Sequence, residues 1–141
     1  MNATRTSQDA ARLAIAIGRI NRRIRPPEDG MTHGQLSVLS TIVRRGPLRP
    51  GDIARREHLA PPSVTRLVAD LESRGLVGRE PDPADRRSFF VLATPQGERA
   101  VLRARAERAE RIGVLLAALD DDEHAAVVAA LDALERIAEP G

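Results

Sequence analysis

The sequence contains no cysteine, which excludes disulfides, thiolate metal sites and thiol-based redox sensing. It also lacks lysine, tryptophan and tyrosine: all 22 basic residues are arginine, and Phe89 and Phe90 are the sole aromatics. Any core must therefore be aliphatic, and an aliphatic composition rich in Ala favours helices over sheets. No apolar run approaches the roughly 20 residues of a membrane span. The N-terminus carries Arg but no long apolar stretch of a secretory signal. The expectation is a cytoplasmic chain with no membrane partner. His33, His58 and His124 stand far apart, without the spacing of metal ligands. There is no nucleophile–base set and no Gly-rich phosphate loop, so no catalytic residue, metal or cofactor is expected, and an enzyme reading has nothing to stand on.

What is present is a 42% hydrophobic fraction over 141 residues, a one-domain length that can bury a core. Charge is unevenly spread. Residues 1–25 hold six Arg against one Asp, net +5; residues 44–87 hold ten Arg against seven acids, net +3; residues 120–141 hold one Arg against seven acids, net −6. The Arg fork suits phosphate and guanine better than Lys does, although a codon composition favouring Arg explains the missing Lys by itself.

Periodicity lays out the elements. Residues 7–25 read as a helix capped by Ser7, with Leu13, Ile17, Ile20 and Ile24 on a narrow coiled-coil-like seam. Pro26-Pro27-Glu28-Asp29-Gly30 breaks the chain. Residues 32–45 form a second helix, opened by a Thr32/Gln35 capping box, with Leu36, Leu39, Ile42 and Val43 inward, and closed by Gly46-Pro47. Pro50 opens a short third helix to about Glu57, with Asp52 in its first turn and Ile53 and Ala54 inward. His58-Leu59-Ala60 is a three-residue turn, and residues 61–74 form a fourth helix with Val64, Leu67, Val68 and Leu71 on one stripe. Gly75 stops it. Strands are expected at 76–80 and 88–92, joined by a hairpin loop at 81–87. Thr94-Pro95 opens a fifth helix of about 25 residues, to near Leu119. Asp120, Asp121 and Asp122 start a sixth, striped by Ala125, Val128, Leu131, Leu134 and Ile137. The end helices carry more apolar seam than one small domain uses, which points to pairing with a second copy.

Two short helices joined by a three-residue turn form a helix–turn–helix pattern, and a following hairpin makes it a winged one. Pro62, Ser63, Thr65 and Arg66 face outward near the start of the fourth helix, where free N–H groups and the helix dipole would favour phosphate. Arg66 is the candidate for a base edge, guanine above all. Asp85, Arg86 and Arg87 lie in the hairpin loop, where an Arg can enter a narrow minor groove and Asp85 can hold a neighbouring guanidinium in a forked pair. The plainer readings are a solvated helix face for Arg66 and a charged turn shaped by Asp82-Pro83. Arg44, Arg45, Arg55 and Arg56 are phosphate candidates that read singly as solvated. The Arg99–Arg111 run reads as a solvated face or as pairs between subunits, and His33 either as a surface residue or as lining a small-molecule pocket. Asp120–Glu123 reads as a helix cap rather than a metal cluster.

These residues resemble the MarR family of bacterial winged-helix regulators over nearly the whole chain. Thr32-x-x-Gln35-x-x-Val38-Leu39 is similar to the family's second-helix opening, and Leu59-Ala60-Pro61-Pro62-Ser63-Val64-Thr65-Arg66-Leu67-Val68 to its recognition helix. Leu71-Glu72-x-x-Gly75-Leu76-Val77 is similar to the exit into the wing. Asp82-Pro83-x-Asp85-Arg86-Arg87, with Thr94-x-x-Gly97, is similar to the wing signature. The resemblance implies a mainly α (α+β) fold: a winged helix–turn–helix core over about 32–94, with N- and C-terminal helices (about 7–25 and 95–138) forming a dimerisation region. It implies a homodimer that binds a palindromic double-stranded DNA operator as a ligand-responsive repressor, released by a small-molecule effector. Pro62, Ser63, Thr65 and Arg66 would face the major groove; Asp85 and Arg87 would form the wing pair, with Arg86 beside them. The alternative is a winged-helix protein-interaction module without specific DNA binding. Departures from the family pattern stand at four places. Ala60 replaces the usual Ser or Thr cap, a loss of roughly 1 kcal/mol; Arg49 replaces a common Thr before Pro50; Ala93 replaces Leu in the wing signature, loosening its packing; and cysteine is absent, excluding peroxide sensing. Scarce aromatics leave any ligand pocket aliphatic and Arg-lined, and its residues are not assigned.

Overall fold

A computed structural model describes residues 2–26 and 30–139. Its elements follow as α1 (Asn2–Arg23), α2 (His33–Arg45), α3 (Pro50–Glu57), α4 (Pro61–Ser73), β1 (Val77–Pro81), β2 (Phe89–Ala93), α5 (Pro95–Leu116) and α6 (Asp121–Ala138). The fold is mainly helical with one antiparallel two-stranded sheet, the winged-helix class expected. The chain divides into two compact units, Met1–Ala106 and Glu107–Gly141, and α5 crosses the boundary. The expected breaker at Pro27, Glu28 and Asp29 lies outside the described residues.

The first unit buries the 3–4 stripes of its short helices together: Leu36, Leu39 and Ile42 of α2, Ile53 and Ala54 of α3, and Val64, Val68 and Leu71 of α4, with Leu76, Val77, Val91 and Val101. Each fully buried Val, Leu or Ile of this kind contributes about 1.5–3 kcal/mol. Val38 and Thr41, off the expected inward face, are buried as well, because α2 packs against α3, α4 and β2 at once. The Thr32 hydroxyl accepts from the Gln35 N–H (3.1 Å), and the Gln35 side chain accepts from the Thr32 N–H (3.0 Å), the capping box expected. Ser37 (2.5 Å) and Thr41 donate their hydroxyls to the two carboxylate oxygens of Glu57, tying the middle of α2 to the end of α3.

Several boundaries differ from expectation, each for a local reason. Helix α1 starts at Asn2, so Ser7 lies inside it and is not its cap; nothing in residues 3–6 breaks a helix. It ends at Arg23 because Pro26 pushes Arg25 toward an extended backbone. Its seam is divided: Leu13, Ile17 and Ile20 are exposed, while Ile24 is buried. Helix α4 ends at Ser73, one residue early, and both strands start one residue late. The Leu76 N–H is already held by the Leu71 carbonyl (3.0 Å), and the Ser88 N–H by the Asp85 carbonyl (3.0 Å). Pro81 is thus the last residue of β1, paired with Phe89. Helix α5 stops at Leu116, because Ala118 and Leu119 bond three residues back (3.3 and 3.1 Å) and tighten the chain into a turn.

Where α4, the sheet and α5 meet, the backbone leaves no room. Gly75 ends α4 at φ +72°, a conformation open to Gly and strained for other residues. The Thr94 hydroxyl donates to the Gly75 carbonyl (2.7 Å) and accepts from the Gly97 N–H (3.0 Å). The Thr94 N–H reaches the Leu76 carbonyl (3.1 Å). A Cβ on Gly97 would overlap that same Leu76 oxygen.

In the second unit, Asp120 caps α6 through a reciprocal box with Glu123 (2.8 and 3.0 Å), so this acidic run is a helix start. Val127, Val128, Leu131, Leu134 and Ile137 of α6 and Ile112 and Val114 of α5 are exposed. No described helix is long and apolar enough to cross a membrane.

Gly97→Ala should cost about 1–3 kcal/mol, because backbone must move to admit the methyl. Urea denaturation of the variant checks this, and an unchanged midpoint would mean that the joint is looser than drawn.

Candidate nucleic-acid interface

The helix–turn–helix is α3, the turn at 58–60, and α4. The turn is made by His58 in the left-handed region (φ 52°, ψ 44°), where His is among the more tolerated non-Gly residues. The Leu59 N–H then returns to the Ala54 carbonyl (3.0 Å). The outward face of α4 holds Pro62, Ser63, Thr65 and Arg66, all exposed as expected.

The start of α4 differs from the sequence reading. Ala60 offers no side-chain cap, yet few donors await one. Pro61 and Pro62 carry no N–H, and the Ser63 and Val64 N–H groups both bond to the Ala60 carbonyl (3.0 and 3.2 Å). The free backbone N–H groups expected here for phosphate are absent. What the first turn presents is side-chain chemistry: the Ser63 hydroxyl, the Thr65 hydroxyl, which donates back to the Pro61 carbonyl (3.1 Å), and the Arg66 guanidinium.

The wing loop, residues 82–88, carries Asp85, Arg86 and Arg87 exposed. The expected forked pair between Asp85 and a neighbouring guanidinium is not formed. Asp85 instead accepts from the Arg87 backbone N–H (2.9 Å), a two-residue span that shapes the turn and leaves both Arg side chains outward. The carboxylate that captures an arginine is Asp82, whose side chain is 2% exposed: Arg49 Nε and Nη2 reach its Oδ2 at 2.9 and 2.8 Å. The other Asp82 oxygen accepts from the Ala84 N–H (2.9 Å). That backbone hydrogen bond is the main cause holding the Asp82 carboxyl below its ordinary value, with burial opposing and Arg49 adding to the lowering.

Two further contacts were not anticipated from the sequence. Arg49 lies over the Phe90 ring at 4.7 Å, and Arg79 over the Phe89 ring at 4.5 Å. Arg79 also pairs with Glu72 of α4 (2.8 Å). The adjacent aromatics Phe89 and Phe90 were the available signal, but nothing in the spacing indicated their partners. Of the phosphate candidates, Arg55 is paired with Asp52, while Arg44, Arg45 and Arg56 are exposed. Arg66, Arg86 and Arg87 form no ion pair among the described residues. His33 stands first in α2, and its Nε2 is buried without a hydrogen-bond partner among the described residues.

The model of the MarR family matches residues 31–89, which span the helix–turn–helix and most of the wing. An HTH-type transcriptional regulator of Mycobacterium leprae (strain TN) is 38% identical over 116 residues, covering 81% of each chain. The chain belongs to the MarR family. A second relative, the HTH-type transcriptional repressor MdtR of Bacillus subtilis (strain 168), is 32% identical over 71 residues, 50% of this chain and 46% of MdtR. Among solved structures, the PcaV transcriptional regulator of Streptomyces coelicolor in complex with its natural ligand superposes with a TM-score of 0.62 at 27% identity, covering 99% of this chain and 97% of PcaV. This member of the MarR family is thus a winged-helix transcriptional regulator.

Two tests follow. Ala60→Ser should raise stability by less than about 0.5 kcal/mol, short of the ~1 kcal/mol typical of a cap, because the prolines leave the hydroxyl little to satisfy; a full cap's gain in denaturation would contradict this bonding. Asp82 has a depressed carboxyl, so its charged form contributes stability above the ordinary value of 3.8, and the contribution disappears as pH falls through the lower folded value. The stability gap between the wild type and Asp82→Asn should hold down to about pH 4–5 and shrink below that. A gap unchanged at about pH 3 would mean that the carboxylate's charge is not what stabilises the loop.

Proposed function

We propose that this MarR-family regulator acts as a homodimer that binds a palindromic operator in double-stranded DNA and represses transcription until a small-molecule effector releases it. The observation that carries the reading is the separation of the arginines. Arg49, Arg55 and Arg79 are consumed in ion pairs, whereas Arg66 on α4 and Arg86 and Arg87 in the wing are exposed and unpaired among the described residues. Unpaired forks on a helix face and a hairpin tip are what groove and backbone contacts need.

In this reading residues 32–94 bind DNA, and residues 7–25 and 95–138 hold the dimer. Pro62, Ser63, Thr65 and Arg66 face the major groove, with Arg66 on a base edge. Arg87 enters the minor groove, with Arg86 beside it and Asp85 shaping the turn. The apolar residues of α1, α5 and α6 left exposed in the protomer support the pairing of two copies. A dimer sets its recognition helices about 34–36 Å apart, one turn of DNA. Repression is supported by the likeness to MdtR, and effector release by the likeness to PcaV, a structure solved with its natural ligand.

The test is gel-shift titration on the DNA upstream of the protein's own gene, across salt and against random competitor. Wild type should bind sharply at dimer stoichiometry and weaken steeply as salt rises. Arg66→Ala should lose about 1–3 kcal/mol and relax specificity at one base position. Arg87→Ala should remain folded and dimeric yet bind weakly, and tight binding by it would remove the wing from the mechanism. Weak, competitor-sensitive binding by wild type would favour a protein-interaction role instead.

A further inference from the structure

The residue before α3 is a poor helix cap, since an Arg side chain has no acceptor for the first N–H groups. Its position gives it different work. Leu48 and Val91 exchange both backbone hydrogen bonds (3.0 and 2.7 Å), so the segment entering α3 runs alongside β2. That bridge sets Arg49 beside the hairpin, where its guanidinium meets Asp82 and the Phe90 ring together. Asp82 begins the wing loop and organises it. Its side chain holds the Ala84 N–H (2.9 Å), its carbonyl accepts from the Asp85 N–H (3.3 Å), and its own N–H goes to the Ser88 carbonyl (3.3 Å). A single side chain from the residue before α3 thus grips Asp82, to which Ala84, Asp85 and Ser88 are bonded directly and Arg87 through Asp85.

We propose that Arg49 is the positioning residue that sets the wing loop's pose, so that the DNA contact of Arg87 depends on it. This rests on the DNA-binding reading above. Without Arg49 the hairpin keeps its ladder and its Arg79–Glu72 tie to α4, so the fold survives. The Asp82 carboxylate, buried and stripped of its cation, then gains by swinging into water, and the loop loses the residue it is built on.

Two measurements on the full-length protein test this. Trypsin cleavage after Arg86 and Arg87, resolved by mass spectrometry, should quicken several-fold in Arg49→Gln while cleavage at other Arg sites is unchanged, as expected for local opening. Arg49→Lys, which keeps the charge opposite Asp82, should fall between the two and serves if Arg49→Gln folds poorly. Unchanged cleavage in both variants would overturn the proposal. In operator binding, the loss caused by Arg87→Ala should be much smaller in an Arg49→Gln background than in wild type. Additive losses would mean that Arg49 either touches DNA itself or leaves the wing alone, and would overturn the proposal too. Failure of wild type to bind DNA specifically would sink the DNA reading, while the cleavage result would still decide whether Arg49 holds the loop.

Discussion

A two-stranded hairpin is marginal in water on its own, and this one has five-residue strands with one buried residue each, Val77 in β1 and Val91 in β2. It is held from outside at three points. The Leu48 bridge gives β2 a second backbone neighbour. Arg49 comes from the start of α3 to Asp82 and Phe90, and Arg79 reaches back from β1 to Glu72 of α4 while covering Phe89. The chain's sole aromatics are thus each covered by an arginine that is fixed by a carboxylate. Both helices of the helix–turn–helix take part, so the wing is fastened to the start of α3 and to α4 together.

The same residue type therefore does two opposite jobs within residues 44–87. Where a carboxylate and a ring converge, Arg is structural: its apolar stem and flat fork fill space between elements. Where no carboxylate pairs with the guanidinium among the described residues, as at Arg66, Arg86 and Arg87, it remains available to solvent or a ligand. Composition cannot tell these uses apart, because they differ only in which acids and rings the fold brings within reach.

That limit shows in what was legible. Local signals carried well: Thr32/Gln35 forms its box, the acidic run at Asp120 caps its helix, Pro50 and Pro61 start their helices, and Gly75 turns the chain at positive φ. The helix–turn–helix with its hairpin followed from those signals, and the family from the motifs. Boundaries slipped where a hydrogen bond was already spent elsewhere, as at Leu76 and Ser88, or where no residue marked an end, as at the start of α1. Long-range pairs were missed. Adjacency points to Asp85 as the arginine partner, whereas the fold carries Arg49 across 33 positions to Asp82. Residue type alone makes Ala60 a lost cap, but the two prolines after it carry no N–H and the Ala60 carbonyl takes the next two.

Those prolines have an entropic consequence. The first turn of a helix usually frays, so a groove that receives it must also order it. Here Pro61 and Pro62 lock φ at two successive positions, and the unfolded chain has correspondingly fewer conformations to give up there. The residues that follow, Ser63 to Arg66, stand on a turn already set before any ligand arrives. Less ordering is then charged to binding at that end of α4, and the freedom left to restrict is that of the side chains.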